Sequence, residues 1–485
     1  MRSNPYFSKQ KLFSLGLVFV VMLGVSCSKT NSGGTPSAPA ITSFSFMQGV
    51  NQIPVNSSAV IQGSVITIFL PPGTVANRLV PSFTLTDSTA TLSVNGTPQQ
   101  SGVTPVDFSS GTVNYTLTDK HGNTQIFYVG LVTDIQPIDS RVAAFMQTYN
   151  IPALSIAITQ DDRLVYAKTY GMSDVQNNVA ANNQSLFRLA SLSKQVTSVS
   201  IMRLIDQGKI HMQDKVFGPN GILSDFGTAP FNPGVTNITI DELLHHTCGG
   251  WSNDDPQGDP VFSNYNLNRD QLVNWTVNNW PLDTIPGTNY DYSNFGFFVL
   301  GRVIEKITGL NYDSAAKQLV LQPCGISDMQ IGGSTLADRL PNEVIYYPQN
   351  GENPYNIDFH RQDANGGWIA NATDLAKFLC HVDGTGNDII SPQVLTMMTT
   401  GSSANPNYGC GWILTGINYW HNGSLPGTST EQAITKSSGN FNFVILTNSR
   451  NQDPNLGSDM DNIFWKSFPN IPVWPSYDLF GDGGK

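Results

Sequence analysis

Charge is scarce in this sequence. Asp, Glu, Lys and Arg make up 13% of 485 residues, with 25 Lys and Arg against 36 Asp and Glu. A net charge of −11 leaves no basic stripe that could displace counterions from a phosphate backbone, which argues against a nucleic-acid partner. Cysteine is scarce too: Cys27, Cys248, Cys324, Cys380 and Cys410 are the whole set, and none forms a C-x-x-C pair. The last four are expected as small buried hydrophobes, with disulfide pairing left open and a metal site not expected. Long apolar runs are confined to residues 12–25, too short for a comfortable membrane span, and nothing later is long and apolar enough to cross a bilayer. What the chain does have is 40% hydrophobic and 10% aromatic residues, enough for sizeable cores and too much for a disordered acidic chain. Its length suits two to four folding units.

The single apolar run says where the protein goes. Arg2, Lys9 and Lys11 precede it and Ser26-Cys27 follow it, the order of a secretory signal over residues 1–26. Leu23-Gly24-Val25-Ser26-Cys27 resembles a bacterial lipoprotein cleavage site with Cys27 as the lipidated residue. That resemblance implies an exported protein anchored to the outer membrane by lipid and facing the periplasm or the cell surface. Residues 27–40, rich in Ser, Gly, Thr and Pro, read as a tether.

From residue 41 to 134 the pattern is one of short strands. Val113, Tyr115 and Leu117 alternate with polar residues, and a turn at Asp119–Asn123 leads into a second alternating run at Ile126–Val129, which makes a hairpin. Residues 65–70 add a strand closed by Pro71-Pro72-Gly73. The expectation is a small all-β sandwich, similar in spacing to immunoglobulin-like modules and serving as a spacer or a binding module. From 137 to 470 the pattern is α+β: strand pairs near both ends, at 153–159 with 163–170 and at 432–436 with 442–447, and mostly helical signals between. A sheet assembled from both ends of this region, flanked by helices and with a helical insertion, is the simplest packing. A strand is also expected over 408–414 and a closing helix over 460–468, and residues 471–485 read as a tail.

The chemistry begins at Ser191-Leu192-Ser193-Lys194. Val196, Val199, Met202 and Ile205 then recur on one helical face up to Gly208, so Ser191 falls near the start of a helix of about five turns, and Lys194 shares its face. A lysine one turn away can take the proton of a serine hydroxyl if burial or positive charge brings its pKa down from about 10.4 toward neutrality. Two further groups suit the same task. Tyr292-Ser293-Asn294 precedes a helical pattern ending at Gly309 and supplies a phenol and an amide. His421-Asn422-Gly423-Ser424 would put a polar ring and a bare backbone on one side of an edge strand, where a substrate could approach closely.

With these three motifs in this order the chain resembles the serine β-lactamase/penicillin-binding protein superfamily, in its class C-like branch. Leu243-Leu244-His245-His246-Thr247-Cys248-Gly249-Gly250 and Gly366-Gly367 ahead of Asn371 support the likeness, which spans about residues 137–470. The resemblance implies Ser191 as acylated nucleophile, Lys194 as its base partner and Tyr292 as proton relay. It implies Asn294 and His421 at the substrate, and the N–H groups of Ser191 and Ser424 as oxyanion hole beside Gly423, without metal or cofactor. A neutral imidazole in place of the motif's usual lysine shifts the expected substrate from β-lactams toward esters or peptides, D-amino-acid peptides among them. Expected partners are such small molecules or peptides, the membrane through Cys27, and peptidoglycan. The rival from another class is a non-catalytic cell-wall or ligand-binding receptor. Trp368 and Trp420 flank the motifs as candidates for pocket lining or for plain packing. His245, His246 and Cys248 sit where the family has a structural turn, and Asp254-Asp255 is best read as loop.

Overall fold

The computed structural model describes residues 39–481. The expected signal, Cys27 and most of the tether lie outside the described residues. The first strands are β1 (Ile41–Phe46), β2 (Ser57–Gln62), β3 (Val65–Phe69), β4 (Pro81–Leu85), β5 (Thr91–Val94), β6 (Thr97–Pro98), β7 (Val113–Thr118) and β8 (Thr124–Val132), in spatial order β4-β1-β2-β3-β8-β7-β5-β6. The hairpin read from the alternation is there, with Val113 opposite Val129 and Thr118 opposite Thr124. β2 pairs with β1 through Ser57 and Ser58 and then with β3 through Ala59–Gln62, so it hands the chain from one layer to the other. Phe44, Phe46, Phe108 and Tyr115 meet edge to face between the layers and fill an all-β core. β3 and β8 run parallel, a pairing that short-range alternation could not reveal.

The α+β region begins with α1 (Gln136–Tyr149), β9 (Ala153–Gln160) and β10 (Arg163–Asp174), joined through Asp161 and Asp162, both at positive φ. It continues through β11 (Val179–Ala180), β12 (Phe187–Arg188), α2 (Ser193–Asp206), α3 (Ile240–Leu244), α4 (Arg269–Asn279), α5 (Asn294–Thr308), α6 (Tyr312–Ala316), β13 (Gln330–Ile331), β14 (Trp368–Ala370), α7 (Ala372–Cys380) and α8 (Pro392–Met398). It closes with β15 (Ile413–Thr415), β16 (Asn418–Leu425), β17 (Thr428–Thr435), β18 (Phe441–Thr447) and α9 (Leu456–Trp465). The main sheet has the order β11-β10-β9-β18-β17-β16-β15, so its middle joins the two ends of the region. One face packs under α1 and α9 and the other against the helices of the insertion, each on its own apolar core. A sheet buried on both faces needs apolar residues on both, and β17 and β18 are accordingly buried at every position.

Three expectations change. Of the strand expected over 408–414 only Ile413 and Leu414 pair in a ladder, as part of β15; residues 408–412 contribute an isolated bridge, Tyr408 to Ile413, because Tyr408 and Cys410 turn inward to side-chain partners. The helix after the Ser-Lys motif is shorter than five turns: it starts at Ser193, and Ser191 lies in the 3₁₀ turn Ala190–Leu192 that precedes it. Residues 471–481 do not trail away as a tail. Leu479 N–H donates to Leu164 O (2.8 Å), Asp478 accepts from Leu164 N–H (3.0 Å), and Tyr477 is buried with Val55 and Phe69 of the β module. Among the described residues no helix is long and apolar enough to cross a membrane.

Candidate active site

Ser191 is held by its neighbours. Arg188 is fully buried, its guanidinium 4.0 Å from the ring centres of both Tyr346 and Phe359, and it donates to Pro354 O and Gly333 O. Leu189 N–H bonds to Trp368 O on β14 (2.9 Å). Ala190 then takes a left-handed backbone (φ +50°), a conformation costing a non-glycine residue about 1–2 kcal/mol, and the surrounding packing holds it there. The turn leaves Ser191 half-exposed at the wall of a cavity of about 550 Å³, while Lys194, one turn on, is fully buried.

Lys194 Nζ lies 3.1 Å from Ser191 Oγ, 2.7 Å from Asn294 Oδ1 and 3.0 Å from Asn365 O. Burial brings its pKa down to about 7, with Asp259 pulling the other way. A neutral amine has two N–H bonds and one lone pair. Asn294 Oδ1 and Asn365 O can only accept, so they occupy both N–H bonds and the lone pair is left for the Ser191 hydroxyl. Tyr292 sits against this pair. The Lys194 nitrogen is 4.9 Å from its ring centre, and burial, eased by Ser191, pushes the phenol pKa well above its usual value, so the phenol keeps its proton. The Tyr292 hydroxyl is buried beside Ser191 and makes no other hydrogen bond.

Behind Tyr292 runs a chain of neutral groups whose proton positions are fixed. Ser293 N–H donates to His246 Nδ1 (3.1 Å), which places the His246 proton on Nε2, 3.1 Å from the Tyr408 hydroxyl. That hydroxyl is 3.1 Å from His421 Nε2, and His421 Nδ1 is 2.5 Å from Asn422 O, an acceptor. Burial first and the Lys194 charge second lower the His421 pKa to about 3 and drive that of His246 well below normal. Two imidazoles therefore stay neutral beside Lys194 and add no positive charge. His421 is accordingly part of the packing behind Tyr292, 6.0 Å between ring centres, and is not among the residues lining the cavity.

Gly423 and Ser424 lie where β16 passes the Ser191 turn. β15 covers β16 only as far as Trp420, so the strand is open from His421 onward. At Gly423 a Cβ would come 2.3 Å from Thr430 Oγ1 and 2.5 Å from Leu189 O, so only glycine lets the strand approach the Ser191 turn. Ser424 follows it into the cavity wall, its hydroxyl accepting from Arg450 Nη1 (3.1 Å).

Residues 138–464 match the Beta-lactamase family model. The chain belongs to the Beta-lactamase family. A protein of Escherichia coli O157:H7 described as a candidate D-alanyl-D-alanine carboxypeptidase is 24% identical over 307 residues, 55% of this chain and 68% of its own length. The solved structure of a class C β-lactamase aligns with a TM-score of 0.58 at 18% identity, covering 70% of this chain and 96% of that one. That of a D-amino acid amidase from Ochrobactrum anthropi SV3, complexed with L-phenylalanine amide, aligns at 0.56 and 18% identity, covering 69% and 98%. Family and neighbours alike are serine hydrolases.

On this Beta-lactamase-family scaffold the structure brings Ser191, Lys194, Tyr292 and Asn294 together and sets Gly423 and Ser424 beside them. Asn294 differs from its expected part. Its Oδ1 holds Lys194 and its Nδ2 donates to Asp259 Oδ2 (2.7 Å), so the amide orients the Lys194 amine and keeps one N–H for anything else. Trp368 and Trp420 pack, Trp368 fully buried with its N–H on Tyr312 Oη (3.0 Å). His245 and His246 point apart, the first to Asp241 and Thr400 O, the second to Tyr408, so they do not share a ligand. Sequence reasoning missed Asn365, Tyr408, Arg450 and Asp259. Asn365 acts through its carbonyl, which no residue pattern encodes; Asp259 and Arg450 lie in loops with no periodic signal, and the strand expected over 408–414 did not say what the Tyr408 side chain would meet.

Proposed function

We propose that the protein is an exported serine hydrolase that forms and clears an acyl-enzyme at Ser191, acting on esters or peptides. The reading rests on one observation above all: the Lys194 amine has both N–H bonds engaged and its lone pair toward Ser191. As Ser191 Oγ attacks the acyl carbon, its proton passes to Lys194. The carbonyl oxygen takes the negative charge between the N–H groups of Ser191 and Ser424, donors typically worth about 2.7–4 kcal/mol each in acyl-transfer sites. Tyr292 gives its proton to the departing oxygen or nitrogen and recovers one from the Lys194 ammonium. Water then enters, loses a proton by the same route, and releases the acid and free Ser191.

β-Lactams are less favoured because, among the described residues lining the cavity, none offers a free cation for their carboxylate. His421 is neutral, and Arg450 is paired with Glu352. Signal, lipidation at Cys27 and a spacer role for an immunoglobulin-like module at 41–134 complete the proposal, with the enzyme held off a membrane surface. Mass-spectrometric mapping of a fluorophosphonate label tests the core of it. An adduct at Ser191, lost in Ser191→Ala, is expected; folded protein that takes no label would favour the receptor. Turnover of a nitrophenyl ester, a D-Ala-D-Ala peptide and a chromogenic cephalosporin then ranks the substrates.

A further inference from the structure

A second group of reactive side chains meets at the end of the main sheet away from Ser191. Gly423, beside the Ser191 turn, lies level with Ser155 through Thr430 and Leu446, and β9 runs roughly 17 Å on from Ser155 before the chain turns at Asp161-Asp162. Beside that turn lie Cys380, the last residue of α7, and Asp383 just after it. A carboxylate oxygen of Asp162, one of Asp383 and the Cys380 sulfur all lie within 4.8 Å of one another, with Cys380 and Asp383 buried and Asp162 partly open to solvent. Among the described residues neither carboxylate is ion-paired with Lys, Arg or His; Lys436, whose Nζ lies against Gly384, pairs with neither. The Thr385 hydroxyl is 2.6 Å from Asp162 Oδ1 and 2.6 Å from Asp383 Oδ1, and its one proton can serve only one of them. Burial pushes the Asp383 pKa up to about 6, and the Asp162 charge adds to the rise.

The sulfur has donors of its own. Thr159, fully buried on β9, turns its hydroxyl to the Cys380 sulfur and makes no other hydrogen bond. Its cross-strand neighbour Asn442 on β18 points Nδ2 at the same sulfur (3.8 Å) while donating to Asp383 Oδ2 (2.7 Å). Two donors aimed at one sulfur suit a thiolate, yet burial pushes the Cys380 pKa well up and, by itself, keeps the group a thiol. A cation held between the sulfur and the two carboxylates removes the conflict, because it deprotonates the thiol and compensates both acids. We propose that Asp162, Cys380 and Asp383 bind a divalent cation, and that their mixed sulfur and oxygen donors select zinc over calcium or magnesium. Tetrahedral zinc, about 2.3 Å from sulfur and about 2.0 Å from oxygen, sets its ligands about 3.5 Å apart, so the three atoms close in by about 1 Å through side-chain rotation. On binding, the S–H bond breaks, a zinc–sulfur bond forms and the proton leaves to solvent past Asp162, with water in the fourth position. The ion ties the β9–β10 turn to the end of α7, remote from the chemistry at Ser191, so the inference stands independently of the hydrolase reading.

The test is metal binding by the full chain. After dialysis against micromolar zinc chloride, wild type should retain one zinc that Cys380→Ser and Asp162→Asn lose, and zinc should raise its thermal midpoint and leave those of the two variants unmoved. Cobalt in place of zinc should give the ultraviolet sulfur-to-metal charge-transfer band of a thiolate ligand, absent from Cys380→Ser. Asp162 sits at φ +62°, a backbone that asparagine adopts readily, so Asp162→Asn keeps the turn and reads the ligand alone. Thr159→Val, which keeps the shape and removes the donor to sulfur, should weaken zinc binding by about 10- to 100-fold. Fluorophosphonate labelling of Ser191 should be the same with and without zinc. Wild type that retains no zinc overturns the proposal, as does zinc retained equally by both variants, since the metal would then sit elsewhere. Calcium that displaces zinc at equal concentration, with no charge-transfer band from cobalt, overturns the sulfur ligand and with it the assignment. Labelling that disappears on chelation also overturns it, because the metal would then act at the Ser191 end of the sheet.

Discussion

A lysine base with its pKa near 7 has a kinetic signature that an ordinary lysine cannot imitate. Lys194 is fully buried, faces only neutral rings in His246, His421 and Tyr292, and feels one carboxylate, Asp259. Only the deprotonated amine can accept the Ser191 proton, so kcat/KM should rise with pH. With the pKa at about 7, the neutral fraction is about one-tenth at pH 6 and about nine-tenths at pH 8. The rate should therefore climb about tenfold in total between those values and then level, whereas an unshifted lysine near 10.4 would give about tenfold per unit from pH 6 to beyond pH 9. A short-chain nitrophenyl ester, which bears no titrating group of its own, read between pH 5.5 and 9.5, separates the two. Asp259→Asn removes the negative charge that raises the Lys194 pKa, so the rise should move to lower pH in that variant. A profile still climbing tenfold per unit above pH 8.5 would refute the reasoning, since it would mean that burial does not set the state of the amine.

Other consequences follow from the same geometry. Tyr292→Phe removes the proton donor and leaves the packing of the ring, so kcat should fall by about 10²–10⁴ on a poor leaving group and much less on a nitrophenolate, which leaves without help; equal losses on both would contradict the relay. Gly423→Ala drives a methyl group into Leu189 O and Thr430 Oγ1, and should cost about 1–3 kcal/mol in a urea melt while displacing Ser191, seen as slower fluorophosphonate labelling. His245 offers a pH test of stability. Burial disfavours its charge, but the Asp241 carboxylate and the contacts to Cys410 and Thr400 O outweigh that and raise its pKa to about 11. A raised pKa stabilises the fold fully below the unfolded value of about 6.5, and that stabilisation is lost as pH climbs toward 11. The stability gap between wild type and His245→Gln should narrow from pH 6.5 to 9 by at most about 1.4 kcal/mol per unit, read from urea midpoints; a constant gap would mean an uncharged ring.

The sequence by itself determined the main sheet and the candidate catalytic set. Alternation across Asp161-Asp162 and the pairing of 432–436 with 442–447 were legible because strand side chains repeat every second residue, and the helix after Ser191 because its apolar positions repeat every three or four. Ser191, Lys194, Tyr292 and Asn294 were legible because reactive groups at short fixed spacing are carried by local backbone. Tertiary structure decided what surrounds them. Asn365 holds the base through a carbonyl, Tyr408 ties two distant histidines, and Asp259 reaches Asn294 across 35 positions of chain. The part His421 plays was decided in the same way, since a ring on a strand faces substrate or core according to what packs over it. Burial, which lowers the Lys194 pKa and raises that of Asp259, depends on every neighbour at once, and no spacing along the chain encodes it.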